Sequence, residues 1–357
     1  MPARIEDFDQ NKLEALQGKV ICDVAGSVGI LLAYMGDQLN LYSALAEICP
    51  ATSQELAANT GLTERYVREW LSANAAGGYI EYDASSRTFS MSPEQALVFA
   101  AEGHPACMQG FFQAVISTYA DEPKATKVFR TGEGIPWADH SACLFCGTER
   151  FFKPMYAANL IESWIPALDR VQEKLEAGAK VADIGCGHGS STIIMAQSFP
   201  NSTCHGFDFH RPSIEHATER ARAAGVAGNT VFEVVTAKEY PGGDYDLITI
   251  FDALHDMGDP VGACRYIAST LAQNGTFMLV EPLAGDNLED NLHALGQIYY
   301  AFSTTVCVPN SLSQEVGLAL GARAGEKRLT EVLNQGGFQQ VRRAAETATN
   351  IVLEARA

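Results

Sequence analysis

The sequence predicts an α/β protein: a doubly wound, mostly parallel sheet with a smaller, mostly helical domain in front of it. Three observations carry this. From residue 178 onward, short apolar strands alternate with helices, the pattern of a parallel sheet with crossover helices. A glycine loop joins the first of those strands to the helix that follows. Upstream, residues 52–91 read as two capped helices and then two short strands around a polar turn.

The chain has 357 residues, enough for two domains. Residues 10–48 read as helical, and Val20 through Met35 is almost entirely apolar with Gly26 and Gly29 interspersed. A helix apolar all round is buried, as a core helix or as the seam of a homodimer, and the dimer is the preferred reading. Thr52-Ser53-Gln54-Glu55 offers a capped start, Gly61 a stop, and Thr63 with Glu64 a second start. Tyr66, Val67, Trp70 and Leu71 then recur at helical spacing. Strands around Ile80 and Phe89 flank the turn Asp83-Ala84-Ser85-Ser86, which completes a winged-helix pattern. Residues 96–165 are rich in aromatics and prolines and read as a helical connector that covers a pocket, with Tyr156 a candidate substrate contact. The expected organisation is 1–100 winged helix and dimerisation, 101–170 connector, and 171–357 sheet domain, with a helical insertion at about 284–325.

The net charge of −18 disfavours a nucleic-acid partner, because binding phosphates needs a basic face. Glu64, Arg65, Arg68 and Glu69 leave the second helix of the winged pattern without net charge. No run of about 18 consecutive apolar residues appears, so no membrane span is expected. The acidic N-terminus lacks an apolar signal core, and a cytoplasmic location is expected. Nine cysteines follow no framework and read as reduced thiols. Cys143-Leu-Phe-Cys146 has no second ligand pair, so no metal site is expected.

Val181-Ala182-Asp183-Ile184-Gly185-Cys186-Gly187-His188-Gly189 runs from the first strand into the loop. Glycines let the backbone turn tightly and approach a ligand, and the following helix offers free N–H groups. Asp208 ends the second strand, where an acidic side chain can accept from both hydroxyls of a ribose. A dinucleotide is the rival ligand, but its fingerprint is GxGxxG, and Ser190 stands where the third glycine would be. A strand carboxylate at Asp183 suits a ligand with an ammonium group. S-adenosylmethionine has one, together with a carboxylate and a ribose.

On these residues, 178–282 resembles the class I S-adenosylmethionine-dependent methyltransferase domain with its Rossmann-like sheet, whose D-x-G-x-G-x-G motif is matched at each position. The resemblance implies that Gly185, Cys186, Gly187 and Gly189 shape the pocket for the methionine part, with Asp183 beside it. It implies that Asp208 holds the ribose and Phe209 lies against the adenine. Thr236-Ala237 stands where the family often has Asp-Ala. The loop beginning Phe251-Asp252 would close the cofactor site.

Residues 20–100 with 178–282 resemble the small-molecule O-methyltransferases that carry an N-terminal winged-helix dimerisation domain. In plant members a Leu-His-Asp segment after the fourth strand supplies the base, and here it is Leu254-His255-Asp256. The resemblance thus implies His255 as general base, and Glu281 after the fifth strand is the candidate to orient it. Met257 departs from the tryptophan common there. The insertion over 286–320 would roof an acceptor pocket, with His293, Tyr299 and Arg323 as candidate polar contacts. The expected reaction is methyl transfer to a small-molecule hydroxyl, leaving S-adenosylhomocysteine. An amine or thioether acceptor needing no base, and a ligand-sensing regulator, stay open as alternatives.

Overall fold

The structure is a computed structural model that describes residues 8–357. It divides into two compact units: one runs through Ile116 with Cys143–Phe151 added, and the other holds Ser117–Ala142 and Phe152–Ala357. The stretch 101–170, read from sequence as one connector, is shared between them.

The first unit starts with helix α1 (Gln10–Gln38), then α2 (Leu41–Ile48), α3 (Ser53–Thr60) and α4 (Glu64–Ala76). Strands β1 (Glu81–Asp83) and β2 (Thr88–Ser90) pair antiparallel, with Tyr82 opposite Phe89, and α5 (Pro93–Phe99) follows. Thr52 and Glu55 form a reciprocal capping box on α3, so the backbone donors at that helix start are satisfied as the sequence predicts. Gly61 ends α3 in the left-handed region at φ 68°. Leu45, Leu56, Leu71, Trp70 and Phe99 form this unit's core. Inside it the Tyr42 hydroxyl donates to Asn74 Oδ1 at 2.5 Å, and Asn74 Nδ2 donates to the Trp70 carbonyl at 2.8 Å.

Helix α1 corrects one expectation. Its buried residues are Ala33 and Gly36, while Val20, Ile21, Val24, Val28, Leu31 and Met35 are all exposed. The core-helix reading therefore fails, because the rest of this unit covers just the last turns. The helix is also long and apolar enough, at a mean hydropathy of 1.5, to cross a membrane by length and composition, although Lys19 and Asp23 interrupt its apolar run.

Helix α6 (Gln109–Ala120) begins in the first unit's opening segment, α7 (Glu122–Thr131) belongs to the second unit, and α8 (Ala142–Asn159) carries the Cys143–Phe151 segment of the first. Cys143 and Cys146 sit on α8, with Cys143 Sγ 3.4 Å from the Tyr34 hydroxyl. After α9 (Val171–Ala177), the second unit alternates β3 (Lys180–Ile184), α10 (Ser190–Ser198), β4 (Thr203–Asp208), α11 (Arg211–Ala223), β5 (Thr230–Val234), β6 (Tyr245–Phe251), α12 (Pro260–Thr270) and β7 (Leu271–Pro282). The insertion contains α13 (Ala294–Phe302), one π-helical turn and α14 (Val308–Leu312). Then come α15 (Gly325–Gln335), β8 (Gln340–Glu346) and β9 (Asn350–Arg356).

The seven strands lie in the order β5-β4-β3-β6-β7-β9-β8, parallel from β5 to β7. Strand β9 is antiparallel to both neighbours, which yields the antiparallel edge expected from two closely spaced final strands. Alternate residues of the central strands serve opposite faces. Val181, Leu247 and Met278 pack with α9 and α10 residues on one, and Ala182, Ile248 and Phe277 with α12 and α15 residues on the other. Chain order reverses between β3 and β6, and ligands bind such sheets in the crevice beyond the carboxyl ends of the strands at this point.

Tyr42→Phe would leave Asn74 Oδ1 buried without its donor. Urea denaturation should show a loss of about 1–3 kcal/mol; an unchanged midpoint would mean that this bond does not hold the helical core.

Candidate functional site

Strand β3 ends in Asp183, whose buried carboxylate is held from three sides. Ser191 and Thr192 on α10 each donate to Oδ2 at 2.6 Å, and Thr249 on β6 donates to Oδ1 at 3.0 Å. Burial pushes this carboxyl above its ordinary range, while the three hydroxyls oppose the shift. Asp183 thus fastens β3 to β6 and to the start of α10.

The loop between is shaped by that anchor. Gly185, Gly187 and Gly189 have φ values of 71°, 51° and 74°, which an L side chain would resist. A Cβ on Gly189 would strike Phe232 and Ala217 at 2.8–2.9 Å, whereas one on Gly187 would meet no protein atom within 4 Å. Gly187 therefore offers bare backbone on an open side. Its N–H donates to Asp208 Oδ2 at 2.9 Å, and His210 N–H donates to Oδ1 at 2.8 Å. Each oxygen keeps a further lone pair for a ligand hydroxyl. Burial raises the Asp208 carboxyl, and the two backbone donors pull it back. Cys186 is buried, and burial pushes its thiol well above the ordinary range.

The other expected loop residues are set around the ends of β4, β5 and β6. Phe209, after Asp208, is 52% exposed, and so offers a free ring face. Thr236 is exposed and donates to Glu239 at 3.0 Å, while Ala237 is part-buried against the core. Phe251 is buried against Tyr156 and Trp164.

A second cluster sits at the ends of β6 and β7. Asp252 adopts φ 49°, accepts from the Tyr156 hydroxyl at 2.8 Å and from Asn350 Nδ2 at 2.7 Å. Burial first, and then the Glu281 charge, push its carboxyl up to about 7. His255, on a short 3-10 turn, is buried with Nδ1 on Glu281 Oε2. Glu281 Oε1 also accepts the Leu254 N–H at 2.9 Å, so one carboxylate positions both the turn and the ring. On the other side His255 Nε2 meets Asp256 Oδ1 at 3.3 Å. Burial opposes the imidazolium, but the carboxylates of Glu281 and Asp256 outweigh it and raise the ring's pKa well above the ordinary histidine value. Cys307, from the π-helical turn, contacts both His255 and Asp256, and burial pushes its thiol up to about 12.

The insertion residues take varied places. Tyr299 is part-buried, with Arg323 over its ring at 5.5 Å; burial raises its pKa, and Asp252 and His255 add smaller, opposed influences. Arg323 donates to the Leu283 carbonyl at 2.6 Å and to Asn291 Oδ1. His293 is exposed, and its Nδ1 accepts the Gly296 N–H as the N-cap of α13. The structure thus brings His255, Glu281, Asp252 and Tyr156 together and leaves His293 at a helix start. Sequence reasoning missed Thr249, Asn350 and Cys307. Thr249 had a readable signal, as the polar residue inside the apolar strand Leu247–Phe251.

A carboxyl raised to about 7 when folded, from an ordinary value of 3.8, favours the fold when protonated. That contribution is present at low pH and fades as pH climbs from about 4 to about 7. Asp252→Asn cannot ionise, so its melting temperature should gain on wild type across that interval, whatever its offset at pH 4. Parallel melting curves would place the ionisation elsewhere.

Comparison with known proteins fits this architecture. Residues 26–100 match the family described as Rv2258c-like winged HTH domain, and residues 175–337 that described as Methyltransferase domain. The 27-O-demethylrifamycin SV methyltransferase of Amycolatopsis mediterranei is 33% identical over 138 residues, 36% of this chain and 50% of that protein. A ubiquinone biosynthesis O-methyltransferase of Ralstonia nicotianae is 30% identical over 128 residues, 35% of this chain and 50% of that protein. The chain thus spans about half the length of these curated relatives. Among solved structures, the mitomycin 7-O-methyltransferase MmcR aligns with a TM-score of 0.72 at 19% identity, over 98% of this chain and 100% of the other. Human N-acetylserotonin methyltransferase, solved with S-adenosylmethionine, aligns with a TM-score of 0.71 at 16% identity, over 98% of each. At such identities the likeness is one of fold. The chain thus shares the fold of these methyltransferases, with a stretch that matches a winged HTH domain ahead of one that matches a methyltransferase domain.

Proposed function

We propose that this protein is an S-adenosylmethionine-dependent methyltransferase acting on a hydroxyl of a small molecule. The observation that carries the reading is Asp208 folded onto the Gly187 N–H beside a stretch of bare backbone. That arrangement fits an adenosyl ribose and leaves room for the methionine part. When bound, the cofactor supplies an electrophilic methyl group on a sulfonium. The chain's own task is to hold that group in line with the acceptor and to remove the acceptor's proton.

His255 is the candidate base. Glu281 holds Nδ1, which leaves Nε2 as the nitrogen that would take the proton. The flanking carboxylates favour the imidazolium against the opposing effect of burial, and the protonated ring must shed a proton before it can accept one. The same flanking supports a second reading, an amine or thioether acceptor that needs no base. Tyr156 and Tyr299, both within reach of the Asp252 charge, are the candidate acceptor contacts of that region. On α4, Arg65 and Arg68 are paired with Glu69 and Glu64, which argues for a structural winged helix rather than one that reads nucleic acid. The exposed apolar side of α1 is proposed as a homodimer seam.

Calorimetry with S-adenosylhomocysteine should show Asp208→Ala weakened roughly tenfold or more, the loss of charge-assisted hydrogen bonds. His255→Ala should bind it like wild type yet turn over about 10²–10⁴-fold more slowly on a hydroxyl acceptor. Wild-type turnover should rise with pH, because the protonated ring is the inactive form. A flat profile with near-normal His255→Ala turnover would favour the base-free reading. Separately, light scattering should give twice the chain mass for wild type and the single mass for Val24→Glu; a wild-type monomer would refute the seam.

A further inference from the structure

We propose that His255, Asp256 and Cys307 form a binding site for a zinc-class divalent cation, with the unpartnered Nε2 of His140 in its vicinity. One ligand atom from each of the first three lies within 4.8 Å of the others. Nitrogen, carboxylate oxygen and thiol sulfur are the donor set of zinc, with cobalt(II) a close substitute. The 3.3 Å separation of His255 Nε2 and Asp256 Oδ1 matches two ligands on a tetrahedral ion with arms of about 2.0–2.1 Å.

Two further observations point to a missing partner. Asp256 Oδ1 is buried, and no aligned hydrogen bond satisfies it. His140 has a fully buried side chain, and its Nε2 also has no hydrogen-bond partner. Asp256 and His140 lie within electrostatic reach of each other. Both histidines are built alike: His255 rests Nδ1 on Glu281 and His140 rests Nδ1 on Asp121 at 3.2 Å. A carboxylate on the far nitrogen is the usual support of a metal-binding histidine, because it fixes the tautomer and aims Nε2 at the ion. Sequence spacing could not reveal this set, since its members come from the 3-10 turn after β6 and the π-helical turn after α13.

The ion would take the lone pair on Nε2 that a general base needs. The site would therefore inhibit base-dependent turnover, a consequence that rests on the hydroxyl-acceptor reading; the binding itself does not. The test uses the full chain, stripped with a chelator and titrated with cobalt(II). The expected result is one tight equivalent with a thiolate-to-metal charge-transfer band, displaced by zinc. The band should vanish in Cys307→Ser and in Cys307→Ala, while Glu281→Gln should weaken binding roughly tenfold or more. Near-ultraviolet circular dichroism verifies that each variant is folded. A wild-type protein with no band, or a band retained in a folded Cys307 variant, overturns the site. Zinc inhibition of turnover without loss of S-adenosylhomocysteine affinity would attach it to the base. Zinc binding by a chain that lacks methyl transfer would overturn the functional reading and keep the site.

Discussion

The geometry of the methyltransferase domain depends on one buried carboxylate. Asp183 is 1% exposed, a costly place for a charge unless every side is hydrogen-bonded. Three hydroxyls meet that need, and they come from two different elements, α10 and β6. Satisfying the charge therefore fixes the distance between the central strands and the helix start. The glycine loop spans what is left and has little freedom of its own. Its bare side, at Gly187, faces away from protein atoms as a result.

Four carboxylates at the strand ends receive different tasks from their surroundings. Asp183 is consumed by hydroxyls and acts as a fastener. Asp208 keeps lone pairs beyond its two backbone donors and can meet a ligand. Glu281 is consumed by a ring and a turn, and so acts on His255 rather than on a ligand. Asp252, bound to Tyr156 and Asn350, is pushed close to neutrality by burial and can be switched by pH. Residue type alone would make these four equivalent; their neighbours separate them.

Much of this was legible in the sequence, for identifiable reasons. Alternating strands and helices, the capping box at Thr52, the turn at Asp83 and the glycine loop are local patterns, and local patterns survive into structure. Glu281 beside His255 was readable because both follow adjacent parallel strands. The fate of α1 was not, because apolarity says that a surface must be covered without saying by what. Asn350 and Cys307 reach the second cluster from distant segments, and no spacing rule joins them. His293 looked available for an acceptor, yet helix capping claimed it, a competing use for any polar residue just before a helix.

The functional proposal stands or falls on whether the Asp183–Asp208 crevice takes an adenosyl sulfonium rather than a dinucleotide. Calorimetric titration of the full wild-type chain with S-adenosylhomocysteine and, in parallel, with NAD tests it most directly. One equivalent of the first should bind, and the second should give no heat of binding. Saturable NAD binding, or no interaction with S-adenosylhomocysteine, would contradict it.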